Sequence, residues 1–224
     1  MTQDGLLLYR YRGTDPMHHE NVGLRRAMAG SVPLVYLHGI TPGSYLPQWP
    51  VYVVADDPAS LAVTVAVDDP RAIRPDLAVD VADEARRRYV TRLALHRLHQ
   101  VAFRQRVILA YRQSCALCRL RHPELLDAAH ILPDGHPLGA PVVPNGLALC
   151  KLHHAAFDRN ILGIRPDLVV EVRPDILEEI DGPMLRHGLQ ELNGRSLVVV
   201  PRLAIQRPNR DHLEERYELF RGTG

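Results

Sequence analysis

The sequence predicts an α+β protein, with a small β-rich N-terminal domain, a long linking helix and a C-terminal domain stapled by a metal ion. Three observations lead there. Short runs rich in Val, Tyr, Leu and Ile, separated by turn signals, fill the first 69 residues. A helical stripe of apolar residues then runs from about Val81 to Gln113. Finally, Cys115-Ala-Leu-Cys118 and Cys150-Lys-Leu-His153 repeat one spacing of potential metal ligands. The corresponding boundaries are 1–69, 70–114 and 115–224.

The N-terminal strands are expected at Leu6–Arg12, Pro33–Ile40, Trp49–Val54 and Leu61–Val67, with a short helix over Asn21–Ala29. Thr41-Pro42-Gly43 and Asp56-Asp57-Pro58 supply the turns. Tyr36, Trp49 and Tyr52 lie in strand-like apolar runs and are expected in the core. Residues 69–80 carry Pro70 and Pro75 and are expected to form a linker. The helix that follows puts Tyr89, Leu93, Leu95, Leu98, Val101, Ala102, Val107 and Ile108 on its apolar side. Beyond the metal-binding segment, Leu168–Val172 and Ser196–Val200 are strand candidates. Helices are expected over Pro183–Leu192, stopped by Asn193-Gly194, and over Asp211–Phe220, with Asp211 near the cap.

Net charge is only +1, but it is unevenly distributed. Ten arginines and no acid fall between Ala85 and His122, while the whole chain has one lysine, Lys151. Such a block suits a phosphate backbone, and Arg97, Arg104, Arg106 and Arg112 are the candidate DNA contacts. The alternative is a solvated helix face in an arginine-preferring sequence. No stretch approaches the roughly 20 apolar residues of a bilayer span. No basic region followed by an apolar run opens the chain, so the expected compartment is the cytoplasm.

Three cysteines without a secretory signal point to metal rather than disulfides. Two knuckles of soft ligands suffice for tetrahedral zinc, so Cys115, Cys118, Cys150 and His153 form a candidate structural site. The alternative for Cys150 is a buried core thiol. Between the knuckles lies Asp127-Ala-Ala-His130-Ile-Leu-Pro133, then Asn145-Gly-Leu-Ala-Leu-Cys150. After them, His154 and Asp158 are four apart and share a helix face that suits a divalent cation. The remaining histidines lack such spacing and are expected at the surface or in packing, with His18-His19 a lesser candidate for nucleic-acid contact.

In this order, Cys-x-x-Cys, Ala-Ala-His-Ile-x-Pro, Asn-Gly-Leu-x-Leu-Cys and His-His-x-x-Phe-Asp resemble an HNH endonuclease of the zinc-stapled, McrA-like kind. The resemblance covers about Phe103–Gly163 and extends more loosely back along Arg97–Tyr111, where Gln100–Arg104 supplies a Gln-x-x-Phe-Arg stretch. It implies a ββα-metal fold around one catalytic cation, and hydrolysis of DNA phosphodiester bonds. His130 matches the general base, and Asn145 the residue that pins the hairpin loop. His154 and Asp158 match the cation ligands, with Asp127 a third candidate. Asp158 is a hard oxygen ligand, so Mg²⁺ or Mn²⁺ is expected there. Ala129 departs from the family, in which Asp or His commonly precedes the base, and this favours the alternative of an inactive zinc-containing DNA-binding module. The order of parts also resembles modification-dependent restriction enzymes, with a PUA-like or SRA-like reader before the nuclease. DNA is thus the expected partner, no membrane is expected, and a homodimer is compatible with this reading.

Overall fold

The computed structural model describes residues 6–67 and 81–223. The expected linker at 69–80 therefore lies wholly outside the described residues. The chain forms two compact units, Met1–His99 and Gln100–Gly224. The sequence places its boundaries at 69 and 114, whereas this division falls inside the long helix.

The first unit is a four-stranded antiparallel sheet with order β1-β4-β3-β2. Its strands are β1 (Leu7–Arg10), β2 (Leu34–Thr41), β3 (Ser44–Asp57) and β4 (Ala62–Val67). Pro42 and Gly43 close the β2–β3 hairpin, and Gly43 takes φ +80, which a side chain would disfavour. Helix α1 (His19–Ala29) contributes Leu24 and Met28 to a core of Tyr11, Val51, Val53, Val63 and Val65. Of the three aromatics expected inside, Tyr52 is 2% exposed and Tyr36 half-buried, but Trp49 is 61% exposed. An apolar run predicts a strand but not which face a residue takes, and β3 alternates sides at each step. His18 accepts from Glu20 N and caps α1, a sufficient structural role.

Helix α2 spans Val81–Ala110. Leu95, Leu98, Ala102, Phe103, Val107 and Ile108 are buried on it, while Tyr89, Leu93 and Val101 are exposed, contrary to the expected stripe. In the first unit the Thr91 hydroxyl accepts from Val67 N at 2.9 Å.

The second unit carries the ββα arrangement. Strands β5 (Leu126–His130) and β6 (Gly146–Cys150) pair antiparallel, with His130 opposite Gly146, and helix α3 (Lys151–Asp158) follows directly. The last turns of α2 pack closely on this hairpin. A Cβ on Gly146 would lie 2.5 Å from Val107 and 2.9 Å from the Phe103 ring, and the Tyr111 hydroxyl donates to the Gly146 carbonyl at 3.2 Å. Next come β7 (Leu162–Ile164) and β8 (Val170–Val172), a second antiparallel pair. Short helices α4 (Pro174–Glu178) and α5 (Pro183–Gly188) lead on, α5 stopping short of the expected Leu192 and giving way to a 3₁₀ turn over Gln190–Leu192. The expected strand Ser196–Val200 does not form. Ser196 makes an isolated bridge to Val169, and the Val198 and Val199 amides both donate to the Ala116 carbonyl. That stretch spends its backbone groups on the metal-binding loop instead of a ladder.

Helix α6 (Arg210–Arg221) closes the unit. Its cap is Asn209, two residues before the expected Asp211, and the Asn209 side chain accepts from Asp211 N and His212 N. The Phe220 ring seats on Gly163 so closely that an added Cβ would lie 2.5 Å from it. Gly163→Ala is therefore expected to cost about 1–3 kcal/mol by overpacking. Thermal unfolding measures this, and an unchanged midpoint would show that α6 does not depend on the contact.

Candidate active site and metal centre

The metal centre is built from a turn and a helix start. The Cys115–Leu120 turn is held by Cys115 N donating to Leu120 O and by Ala116 N donating to the β6 carbonyl of Ala148 at 2.7 Å. Cys150 ends β6 and His153 lies one turn into α3. As a result, one ligand atom each of Cys115, Cys118, Cys150 and His153 fall within 4.8 Å of one another. A tetrahedral ion with Zn–S about 2.3 Å and Zn–N about 2.0 Å separates its ligand atoms by roughly 3.5–3.8 Å. His153 Nδ1 stands 3.4 Å from Cys115 Sγ and 3.2 Å from Cys150 Sγ, so a small adjustment outward admits zinc. His153 Nε2 is 2.8 Å from the Gly188 carbonyl. A carbonyl only accepts, so Nε2 donates to it and Nδ1 is the nitrogen left to face the sulfurs. Burial lowers the His153 pKa, but the Cys115 and Cys150 sulfurs outweigh it and raise it to about 10. The crowded sulfurs push the Cys118 pKa up and hold that of Cys150 down.

The second constellation surrounds an open cleft of about 610 Å³, with His130, Asp127, His154, Asp158 and Arg216 on its walls. His130 ends β5 and stacks on Phe103, ring centroids 4.1 Å apart. Its Nε2 is buried and has no hydrogen-bond partner among the described residues. Burial lowers its pKa, the nearby His154 adds to this, and Asp134 and Asp158 oppose it. The ring is thus neutral near pH 7.

Asn145 lies behind the loop that joins β5 to β6. Its Oδ1 accepts from Leu132 N at 3.0 Å, and its Nδ2 donates to Leu132 O at 3.0 Å and Ala140 O at 3.2 Å. His212 Nδ1, from α6, approaches the same Oδ1 at 3.1 Å. The carboxamide therefore makes all the hydrogen bonds it can, and the contact requires that His212 carry its proton on Nδ1.

His154 and Asp158 do share one face of α3, with Nε2 and Oδ2 3.2 Å apart. They offer one imidazole and one 58%-exposed carboxylate to the cleft, a donor set that suits a hard cation completed by water and phosphate oxygens. Asp127 Oδ2 lies 3.7 Å from His154 Nδ1, but it also meets Lys151 Nζ at 2.5 Å, and its Oδ1 meets Arg104 Nε at 3.2 Å. Burial raises the Asp127 pKa, yet Lys151, His154 and Arg104 together lower it overall. Both of its oxygens are committed to cations already in the protein.

The candidate DNA contacts separate. Arg97 and Arg112 are exposed. The Arg106 Nε donates to Ala102 O within its own helix. Arg104 donates to the Pro123 and Leu126 carbonyls as well as to Asp127, which makes it a buttress of β5. Gly188, His212 and Arg216 are absent from the sequence motif. Gly188 acts through its carbonyl, and all three reach the site from distant elements.

Residues 115–165 match the family model for HNH endonuclease. Two curated relatives, ethanolamine ammonia-lyase small subunits from two strains of Xanthomonas campestris pv. campestris, are 34% identical over 82 residues. That likeness covers 37% of this chain and 29% of theirs, so the chain spans under a third of their length. A solved modification-dependent TagI restriction endonuclease aligns over 96% of this chain and 75% of its own, at 15% identity and a TM-score of 0.36.

Cys115→Ser is expected to release zinc and abolish cooperative unfolding of the second unit, because zinc binding is part of its folding free energy. Zinc content and thermal unfolding check this. A variant that lacks zinc but unfolds as the wild type does would contradict it.

Proposed function

We propose that the chain is a metal-dependent DNA endonuclease that hydrolyses phosphodiester bonds, with His130 as general base. The observation that carries this reading is the His130 ring, which lines the cleft with His154 and Asp158, is fixed by stacking on Phe103 and has its pKa lowered by burial. A base for water needs a neutral imidazole within reach of the attacking oxygen. The attacking water gives its proton to the His130 imidazole, its oxygen bonds to phosphorus, and the P–O3′ bond breaks, with O3′ taking up a proton from solvent. Asn145 keeps the loop after β5 in one shape, so the imidazole does not drift. His154 and Asp158 are the residues we assign to a Mg²⁺ or Mn²⁺ ion. When bound, that ion stabilises charge on the phosphate and the leaving oxygen. Cys115, Cys118, Cys150 and His153 hold zinc in a purely structural role. Ala129 and the pairing of Asp127 with Lys151 and Arg104 favour a second reading, a zinc-stapled DNA binder without cleavage.

The setting we propose is restriction, with the first unit selecting modified DNA. Support comes from a cleft in that unit of about 540 Å³ whose walls include Tyr9, Arg10, Tyr11, Arg12 and Tyr36. Aromatic and guanidinium groups together suit an extruded base. No helix among the described residues is long and apolar enough to cross a membrane.

Nicking of methylated and unmethylated supercoiled plasmids, against metal concentration, tests the assignment. His130→Ala is expected to keep its zinc and lose about 10²- to 10⁴-fold in rate. Asp158→Ala should lose activity too, but partly regain it at raised Mg²⁺ or Mn²⁺, since mass action can offset a weakened ligand set. Wild-type cutting by His130→Ala would remove the base assignment. Zinc binding without cleavage under any metal would favour the second reading.

A depressed histidine pKa also sets a pH dependence. The base stays unprotonated until the pH falls below the ordinary imidazole value of about 6.5. The acid limb of kcat/KM is therefore expected below that value, and a limb above it would contradict the environment described for His130.

A further inference from the structure

Helix α6 brings into the nuclease cleft one charged group that the HNH segment does not contain. Arg216 is half-buried and lines the cleft with His130, His154 and Asp158. Its guanidinium is fixed on three sides. Nη2 donates to the Phe157 carbonyl at 2.6 Å, Nη1 donates to the Asn160 side-chain oxygen, and the group lies 4.7 Å from the centroid of the Phe157 ring. Every one of these partners is neutral. Among the described residues Arg216 forms no ion pair, whereas the neighbouring cations Arg104 and Lys151 both neutralise on Asp127.

A half-buried charge without a counter-charge is costly. Burial accordingly lowers the Arg216 pKa, and only the field of Asp158 opposes it. Two of its five N–H donors are used, which leaves a planar fork with spare donors at an open cleft. The ligand that satisfies such a fork is an anion with two adjacent oxygens, as a phosphodiester has.

We propose that Arg216 is a substrate-binding residue that grips a phosphate of the cleaved strand, at or beside the scissile phosphodiester. This rests on the nuclease reading. It adds an element outside the HNH segment to the catalytic cleft, with α6 as one wall. The two hydrogen bonds to the end of α3 then serve to pre-position the cation, so that little side-chain ordering is needed when DNA arrives.

The test separates binding from cleavage by using the full chain with His130→Ala as the parent. Arg216→Gln keeps an N–H donor for the α3 contacts and removes the charge; Arg216→Met removes both. Duplex DNA binding is measured from low to moderate salt, with unfolding temperature alongside. The Gln variant is expected to bind about tenfold more weakly. The slope of log K against log salt should shrink by about 0.9, the release of one phosphate contact. An unchanged slope with a lowered unfolding temperature would overturn the proposal and leave Arg216 as a tether between α6 and α3. If the Met variant does not fold, the Gln slope still decides. Absence of plasmid cleavage by the wild type would overturn the nuclease reading, and the slope would still show whether Arg216 holds a phosphate.

Discussion

The buried carboxamide of Asn145 is the interaction on which the rest of the second unit depends. It ties both backbone groups of Leu132 to the start of β6 and reaches Ala140 at the far end of the intervening loop. Through Oδ1 it also takes His212 from α6. Three separate stretches of chain thus converge on one side chain whose hydrogen-bonding capacity is fully used. Loss of such a group leaves buried donors and acceptors unpaired, at about 1–3 kcal/mol each. The loop it holds begins at the candidate base, so its geometry and the orientation of His130 are one problem.

Charge is distributed around the cleft with the same economy. The single lysine, Lys151, and Arg104 both serve Asp127, whose Oδ2 lies 3.7 Å from His154 Nδ1. His154 in turn faces Asp158 on the open side. With Ala129 in place of a carboxylate or imidazole beside the base, the cation ligands we assign come from α3 alone.

What the sequence made legible was local. Two knuckles with equal spacing give the tetrad, since each pair is fixed by one turn and β6 runs directly into α3. The strands and helices were also readable in outline, because hydrophobic runs and Pro-Gly turns act over a few residues. What it concealed was long-range. The Gly188 carbonyl that orients His153 offers no side-chain signal at all. His212 looks like a surface histidine until α6 folds back onto Asn145. Trp49 sits in a run that reads as core, yet its side of the strand faces outward. Ser196–Val200 has strand-like residues, but its amides are claimed by Ala116. In each case tertiary packing decides between options that local chemistry leaves equal.

The most direct measurement is the single-turnover DNA cleavage rate of Asn145→Ala, with zinc content and unfolding recorded on the same preparation. Asn145 lies outside the zinc tetrad and makes no contact with the candidate cation ligands, so its loss should act through the loop that begins at His130. The account predicts retained zinc, a folded second unit of reduced stability, and a rate about 10²-fold lower or worse, as a misplaced catalytic group gives. Cleavage at the wild-type rate by a folded, zinc-loaded Asn145→Ala chain would contradict it.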